Sequence, residues 1–177
     1  MPELLNSRNG NKMEFLTTVL IGETQDEYVF SFQAENSLFY CPFQNYNEDH
    51  WLGDVCEIFI GDNRTPTDYY EIEVSPKGGL FFARIFNPGD PDLIEVELLE
   101  NNMISASAEM LGTGYKAEIR INKSQLNIPV ENIVFNAFRI DTDGGEVANK
   151  HLIALSPTMY DDQFHVPSVF LPLKKFL

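Results

Sequence analysis

The feature that most constrains the fold of this chain is a series of short segments in which apolar and polar residues alternate. In the segment YKAEIRIN, Ala117, Ile119 and Ile121 lie on one side and charged residues on the other. A period of two is that of a β-strand with one face buried and one face in water. Similar segments predict strands at Glu14–Leu20, Tyr28–Phe32, Val55–Ile60, Tyr69–Val74, Leu80–Phe86, Leu93–Leu99, Ile104–Met110, Tyr115–Ile121 and Ile133–Asp141.

Residues that favour turns separate these segments. GDNRTPTD (Gly61–Asp68), SPKGG (Ser75–Gly79), NPGDPD (Asn87–Asp92) and GTG (Gly112–Gly114) are rich in Gly, Pro, Asp and Asn. Only Asn122–Leu126 predicts helix, and only one turn of it. Many short strands with a turn every dozen residues or so predict an all-β fold, an antiparallel β-sandwich of jelly-roll or immunoglobulin-like type. Without internal repeats or a linker, we expect one domain over residues 1–177.

The charge of the chain limits its partners. There are 27 acidic and 12 basic residues, a net charge of -15. Such a surface repels phosphate groups, so we expect neither nucleic acid nor an anionic membrane as a partner. Neutral ligands, cations and basic proteins remain compatible with it. No apolar run approaches the ~20 residues of a membrane span, and the first residues, MPELLNSRNGNKMEF, lack the apolar core of a signal peptide.

We therefore expect a cytoplasmic protein, with secretion left open if the chain is processed. Cys41 and Cys56 lack the spacing of a metal site, and either two buried thiols or one disulfide fits them.

The segment DHWLGDVCEIFI holds the only tryptophan, Trp51, and a carboxylate, Glu57, within an apolar strand. An indole at the start of a strand either caps a core or offers a flat platform for the apolar C–H face of a sugar ring. A buried carboxylate must be paired or hydrogen-bonded. Glu57 either forms an ion pair, with Arg84 or Arg139, or accepts hydrogen bonds from ligand hydroxyls at the floor of a cleft.

A second dense segment, ALSPTMYDDQFHVPSVFLPL, lies near the C-terminus. Asp161, Asp162, Gln163 and Phe164 follow one another between two proline turns. Polar groups and a ring in one loop are typical of sites for small polar ligands, and the alternative is a closing loop whose Phe164 packs into the core.

Metal and catalytic motifs are weak. Calcium could bind at oxygen-rich turns, either DTDGGE (Asp141–Glu146) or those with Asp62, Asp68, Asp90 and Asp92, although such residues also form ordinary turns. No metal ligands can be assigned. The chain has no nucleophile elbow, zinc-protease or P-loop pattern.

Several motifs together resemble carbohydrate-binding module family 9. They are W-x-x-D-x-x-E-I-F-I (Trp51–Ile60), GYKAEIRINKSQL (Gly114–Leu126), FNAFRID (Phe135–Asp141), and ALSPT followed by FHVPSVFLPL. The resemblance covers most of the chain from Asp49 onward. It implies a β-sandwich of the DOMON-like group that binds glucose-, cellobiose- or xylose-type sugars.

The resemblance also implies roles for individual residues. In the family, two tryptophans clamp a terminal sugar and a glutamate accepts hydrogen bonds from its hydroxyls. Trp51 matches the first tryptophan, Glu57 the glutamate, and Phe164 lies near the second tryptophan. The family has an arginine in the next strand, where this chain has Glu71 and Glu73. Structural calcium and a glycoside hydrolase partner are further family properties.

We therefore expect a non-catalytic sugar-binding domain that acts in polysaccharide catabolism, with a separately encoded glycoside hydrolase as a partner. Trp51 and Phe164 would stack on the sugar, and Glu57 would bind its hydroxyls, helped by Asp161, Asp162 or Gln163 and oriented by Arg139. Alternatives are an accessory or structural module of a glycoside hydrolase system, an enzyme of sugar metabolism, and a purely structural sandwich. A further alternative is a haem b electron-transfer domain of the same sandwich group. That alternative needs axial ligands, for which the candidates are Met103, Met110 or Met159 with His151 or His165.

Overall fold

The computed structural model describes residues 1–36, 38–145 and 150–177, and its regular structure is almost entirely β. The strands are β1 (Leu5–Asn6), β2 (Thr17–Glu23), β3 (Glu27–Glu35), β4 (Val55–Asp62), β5 (Asp68–Val74), β6 (Leu80–Phe86), β7 (Glu95–Leu98), β8 (Ile104–Leu111), β9 (Gly114–Asn122), β10 (Ile133–Asp141), β11 (His151–Ala154) and β12 (Leu171–Pro172). The described ranges contain one α-helix, α1 (Lys123–Leu126), of four residues, and a few three-residue 3-10 turns. Within the described ranges, no helix has the length and apolar character needed to cross a membrane.

The strands form two antiparallel sheets. The smaller sheet has the order β2-β3-β9-β8, and the larger has the order β1-β11-β10-β4-β5-β6-β7, with β12 paired to β10. The predicted all-β antiparallel sandwich is therefore confirmed. The single α-helical turn also lies where the sequence predicts it. It begins after Asn122, because the Asn122 side chain caps the turn by accepting hydrogen bonds from the backbone N–H groups of Ser124 and Gln125.

The predicted strands differ from the observed ones mainly at the edges. β2 begins three residues later than predicted, at Thr17, because its register with β3 runs from Thr17 opposite Ala34 to Glu23 opposite Tyr28. The strands β1, β11 and β12 were not predicted. Two of them have only two residues, which is too short to show a period.

The main core lies between the two sheets. From β4, Cys56, Ile58 and Ile60 point into it and are fully buried. They meet apolar residues of the smaller sheet, among them Phe30 and Ile119. The alternation in the sequence predicts these faces, since every second residue of a strand points to the same side.

The outer face of the larger sheet carries a second apolar cluster. It contains Val55 and Phe59 of β4, Phe138 of β10, and Phe164 from the C-terminal segment that follows β11. Glu57 lies between Val55 and Phe59 on this same face. The fold thus places the carboxylate beside the second cluster and away from the main core.

Candidate functional site

A cavity of about 220 Å³ opens on the outer face of the larger sheet. We call it the cleft. Strands β4 and β5 supply its floor, and the turn around Trp51 and the C-terminal segment supply residues around it. The residues that line it are Trp51, Glu57, Phe59, Glu71, Phe81, Val96, Ile140, Lys150, Leu152, Asp162, Gln163, Phe164 and His165.

Strand register brings three glutamates together at this floor. Glu57 on β4 lies directly opposite Glu73 on β5, and Phe59 lies opposite Glu71. Since residues two apart share a face, all three carboxylates point to the outer side of the sheet. One carboxylate oxygen from each of Glu57, Glu71 and Glu73 lies within 4.8 Å of the other two. We call these residues the glutamate triad.

Burial dominates the electrostatics of the triad. Glu57 and Glu73 are 2% and 0% exposed. Burial raises the pKa of both well above the usual value. Repulsion from Glu71 adds to the rise at both residues, and repulsion from Glu57 adds to it at Glu73. The pKa of Glu71 is raised to about 7, again by burial. Lys150 opposes the rise for Glu57 because its positive charge favours the ionised carboxylate.

Two aromatic rings line the cleft in different ways. Trp51 is partly exposed and packs edge-on against Phe81, with 5.3 Å between ring centroids and an interplanar angle of 79°. Phe164 stacks on Phe138 at 4.2 Å and 20° and is only 6% exposed. One face of Phe164 is therefore used by the protein, whereas Trp51 keeps surface available to a ligand.

The buried ring of His50 anchors the turn that carries Trp51. The His50 ring is 1% exposed, and its Nε2 lies 3.0 Å from the carbonyl oxygen of Asn45. The Gly53 N–H closes the turn by donating to the His50 carbonyl at 2.9 Å. Burial lowers the pKa of His50, so the ring stays neutral at neutral pH.

His165 brings a hydrogen-bonding group to the cleft. Its Nδ1 lies 2.9 Å from the hydroxyl of Tyr69, and its Nε2 lies 4.0 Å from a carboxylate oxygen of Glu71. The Asn87 amide donates to the Tyr69 hydroxyl at 3.3 Å and to the His165 carbonyl at 2.9 Å. Burial lowers the pKa of His165 to about 4, which keeps the imidazole neutral at neutral pH.

Five of the seven site residues predicted from the sequence line the cleft: Trp51, Glu57, Asp162, Gln163 and Phe164. Asp161 does not line it, because this exposed carboxylate pairs with Arg8 at 2.9 Å.

Arg139 also lies elsewhere, on the opposite face of the larger sheet. It is opposite Cys56 in the register, whereas Phe138 is opposite Glu57. Arg139 is fully buried between the sheets, where it pairs with Asp141 at 3.2 Å. Its predicted role in orienting Glu57 therefore has no structural basis, since the sheet separates the two side chains. Arg84, the other proposed partner of Glu57, pairs with Asp68.

Phe81, Lys150 and His165 line the cleft but are not among the site residues predicted from the sequence. Phe81 could have been found from strand pairing, because it is directly opposite Glu73 on the next strand. Lys150 follows residues 146–149, and no pattern in the sequence links it to Glu57. His165 adjoins Phe164 in the polar C-terminal segment, but that pattern assigns it no particular role in sugar binding.

The acidic turns proposed for calcium have other partners. Asp62 is paired with Arg64 and Asp68 with Arg84, while Asp90 accepts a hydrogen bond from the backbone of Asp92. In DTDGGE, Asp141 is paired with Arg139, and Glu146 lies outside the described residues. Among the described residues, one group of three potential metal ligands (Asp, Glu, His or Cys) is close enough to share an ion, and that group is the glutamate triad.

The candidate haem ligands are dispersed. Met103 lies in the main core, while Met110 and Met159 are exposed by 44% and 64%. His165 lines the cleft, and no methionine does so among the described residues. His151 is exposed on β11.

Comparison with curated proteins gives one partial match. No family model matches the chain. Over 60 residues the chain is 35% identical to an extracellular protein of Arthroderma benhamiae. This stretch is 33% of the chain and 27% of that protein, so the match spans about a quarter of the curated relative.

Comparison with solved structures matches the whole sandwich. A proposed carbohydrate-binding protein of Bacteroides uniformis gives a TM-score of 0.70 at 15% identity, over 89% of this chain and 77% of that one. A family 9 carbohydrate-binding module from Caldicellulosiruptor kristjanssonii in complex with glucose gives 0.59 at 12% identity, over 94% and 80%. Its complex with cellotriose gives 0.59 at 13%, over 90% and 74%. The fold of the chain is therefore like that of carbohydrate-binding module family 9, as the sequence resemblance implies.

Proposed function

From its fold, which is like that of carbohydrate-binding module family 9, we propose that the chain is a non-catalytic carbohydrate-binding domain. The ligand is the terminal sugar of a glucose-, cellobiose- or xylose-type saccharide. The observation that carries the proposal is the arrangement of the cleft, where the partly exposed ring of Trp51 and the carboxylates of Glu57 and Glu71 face the same space of about 220 Å³.

The groups around the cleft match the chemistry of a sugar ring. The axial C–H face of a pyranose is apolar and packs on the electron-rich face of an indole. Its hydroxyls both donate and accept hydrogen bonds. Glu57 and Glu71 offer acceptors, while Lys150 and Gln163 offer donors. The family 9 modules with a similar fold that hold glucose and cellotriose support the choice of ligand.

The arrangement of acids supports binding without hydrolysis. A glycosidase places two carboxylates on either side of the scissile bond, about 5 Å or more apart. Glu57 and Glu71 instead project from adjacent strands of one floor, on the same side of the cleft. We extend the proposal to a partner, a glycoside hydrolase encoded separately, whose action the domain would direct to its substrate.

Titration calorimetry with glucose, cellobiose, xylose and their oligomers tests this proposal. We expect a single sugar to bind with a dissociation constant between about 1 μM and a few mM, the range of roughly 4 to 8 kcal/mol. Replacing Trp51 by alanine removes the stacking surface, so we expect at least about a tenfold loss of affinity, which corresponds to about 1.4 kcal/mol.

Phe86→Ala is the matched control, because Phe86 is 47% exposed and does not line the cleft. This variant should bind sugar as the wild type does. If no mono- or oligosaccharide binds at millimolar concentration, or if Trp51→Ala binds as well as the wild type, the proposal is wrong.

A further inference from the structure

We propose that the glutamate triad, Glu57, Glu71 and Glu73, is a binding site for one divalent cation of the calcium class. The site lies at the floor of the cleft and does not involve the acidic turns. Its geometry comes from strand register, since β4 supplies Glu57 and β5 supplies the other two on the same face. Three carboxylate oxygens, one from each residue, converge within 4.8 Å of one another.

A cluster of acidic residues is not in itself a metal site. The triad has a second feature that points to an ion, because several of its buried oxygens lack a hydrogen-bond donor. Both carboxylate oxygens of Glu73 and Oε1 of Glu57 are buried, and no donor of the described residues reaches them while the triad is ionised. Only a proton held between Glu71 and Glu73 would give Glu73 a hydrogen bond. Buried polar atoms are nearly always satisfied, and leaving them unpaired costs free energy. A cation among these oxygens would satisfy them together.

Charge gives a further reason for an ion. Two ionised carboxylates directly opposite each other on adjacent strands destabilise a sheet, and Glu57 and Glu73 stand in that relation, so an ion between them would let both ionise. Arg139 cannot compensate, because it lies on the other face of the sheet. Among the described residues, the positive charge that acts on the triad is that of Lys150, which favours ionised Glu57. One divalent ion together with Lys150 would balance three carboxylates.

The depth of Glu73 favours a bare ion over an ammonium group on a ligand. Glu57 and Glu71 line the cleft, whereas Glu73 is fully buried and does not. A group that contacts all three must lie below the surface that a sugar ring would touch. A single ion can occupy that position, while an amine attached to a ring would have to draw the ring in with it.

The donor set and its geometry indicate the class of ion. Carboxylate oxygens are hard ligands that suit Ca²⁺, Mg²⁺ and Mn²⁺. Of these ions, Ca²⁺ accepts the most flexible coordination geometry, whereas Mg²⁺ demands a near-ideal octahedron. That tolerance suits a site whose ligands project from two strands of fixed register.

The first experiment uses the wild-type protein stripped with EDTA and no sugar. Calorimetric titration with CaCl₂ should show one ion bound per chain. Saturating CaCl₂ should raise the melting temperature by about 5 °C, because an ion that binds only the folded state stabilises it. An equal ionic strength of NaCl serves as the control for screening.

Glu73→Gln tests the assignment of the site. The substitution keeps the shape of the side chain, and Glu73 does not line the cleft. We expect affinity for Ca²⁺ to fall at least tenfold and the calcium-dependent rise in melting temperature to disappear. In EDTA this variant should melt at a higher temperature than the wild type, because one buried acid is gone. Asp90→Asn, in an exposed turn where asparagine can still accept the same hydrogen bond, should behave as the wild type.

Terbium luminescence gives a measurement that does not depend on a variant. Trp51 is the only tryptophan and lines the same cleft, so Tb³⁺ at the triad should show indole-sensitised emission that Ca²⁺ displaces. The proposal is wrong if one equivalent of Ca²⁺ does not bind, or if Glu73→Gln binds it as tightly as the wild type. Binding of glucosamine that needs Glu73, with no response to Ca²⁺, would overturn it in favour of an amine ligand.

One consequence rests on the proposed function. Because Glu57 and Glu71 also face the cleft, an ion bound beneath them would keep both carboxylates ionised as acceptors for sugar hydroxyls, and sugar affinity should rise with CaCl₂. The sugar and calcium titrations are separate measurements. If sugar does not bind, the calcium titration still tests the metal site, and if calcium does not bind, the sugar titration still tests the proposed function.

Discussion

Tyr69 links the apolar cluster on the outer face of the larger sheet to the polar groups of the cleft. Its side chain is almost fully buried, and its hydroxyl lies between the Asn87 amide and His165 Nδ1. The amide nitrogen can only donate, so the hydroxyl accepts from it and has its own proton available for Nδ1. We therefore expect His165 to carry its proton on Nε2, the nitrogen nearer to Glu71.

Tyr69→Phe should disturb this arrangement without emptying the core. Loss of the hydroxyl leaves Nδ1 without its donor and costs about 1 to 3 kcal/mol of stability. The nitrogen-15 chemical shifts of His165 should show Nδ1 unprotonated in the wild type and a mixture of tautomers in the variant. If His165 donates to the sugar, affinity should fall about threefold or more.

Tyr115→Phe is the matched control for that prediction. Tyr115 is equally buried, but its hydroxyl contacts Cys56 in the main core, away from the cleft. It should lose stability without a change in the His165 spectrum. A wild-type His165 with its proton on Nδ1 would contradict the assignment.

Among the elements, long alternating strands were predictable and short paired ones were not. The alternation in β4 predicts that Glu57 shares a face with Val55 and Phe59, because pleating alone decides it. The strands β1 and β12 exist only through their pairing with β11 and β10, and nothing in two residues reveals such a pairing.

The candidate site was partly predictable for the same reason. Trp51, Glu57 and Phe164 were expected to lie together on the basis of family resemblance, and all three line the cleft. The position of Arg139 depends on the register between β10 and β4, and one residue of shift moves a side chain to the opposite face. The sequence does not specify that register.

The turn that carries Trp51 packs closely against Gly79, the residue just before β6. A Cβ atom added to Gly79 would clash with the His50 ring and come within 3.0 Å of the Gln44 backbone. Gly79→Ala should therefore displace the turn, cost about 1 to 3 kcal/mol in stability and weaken sugar binding. Urea unfolding and calorimetry measure the two effects.

Gly112→Ala is the control for this substitution. Gly112 also lies in a turn, but a Cβ atom there would meet nothing within 4 Å. It should leave sugar affinity unchanged. Equal effects of the two substitutions on affinity would show that the contact with His50 does not position Trp51.

In the molecule as a whole, ionisable groups are buried on both faces of the larger sheet. The triad lies on the outer face, and a second group lies between the sheets. There Arg139 contacts Asp141 at 3.2 Å and Asp54 at 3.9 Å, and its guanidinium lies over the ring of Tyr115. Asp54 also accepts hydrogen bonds from the Tyr40 backbone and the Thr142 hydroxyl.

Asp54 should make stability depend on pH in a predictable direction. Burial raises its pKa to about 6, against the hydrogen bonds from Thr142 and Tyr40 and the charge of Arg139, while Asp141 adds repulsion. Between about pH 4 and 6 the folded state holds more protons than the unfolded state, so this contribution to stability is lost as pH rises. Relative to Asp54→Asn, the wild type should lose on the order of 2 to 3 kcal/mol across that range.

Urea unfolding in EDTA from pH 4 to 7 measures this difference, with the triad present in both proteins so that its own titration cancels. Asp62→Asn is the control. Hydrogen bonds from Arg64 lower the pKa of Asp62, so its stabilisation is lost only as pH falls below about 4, and its difference from the wild type should stay level across the measured range. The prediction is wrong if the difference in unfolding free energy between the wild type and Asp54→Asn does not change with pH, or if the wild type gains stability relative to the variant as pH rises. Either result would mean that Asp54 ionises readily between the sheets because Arg139 offsets its burial.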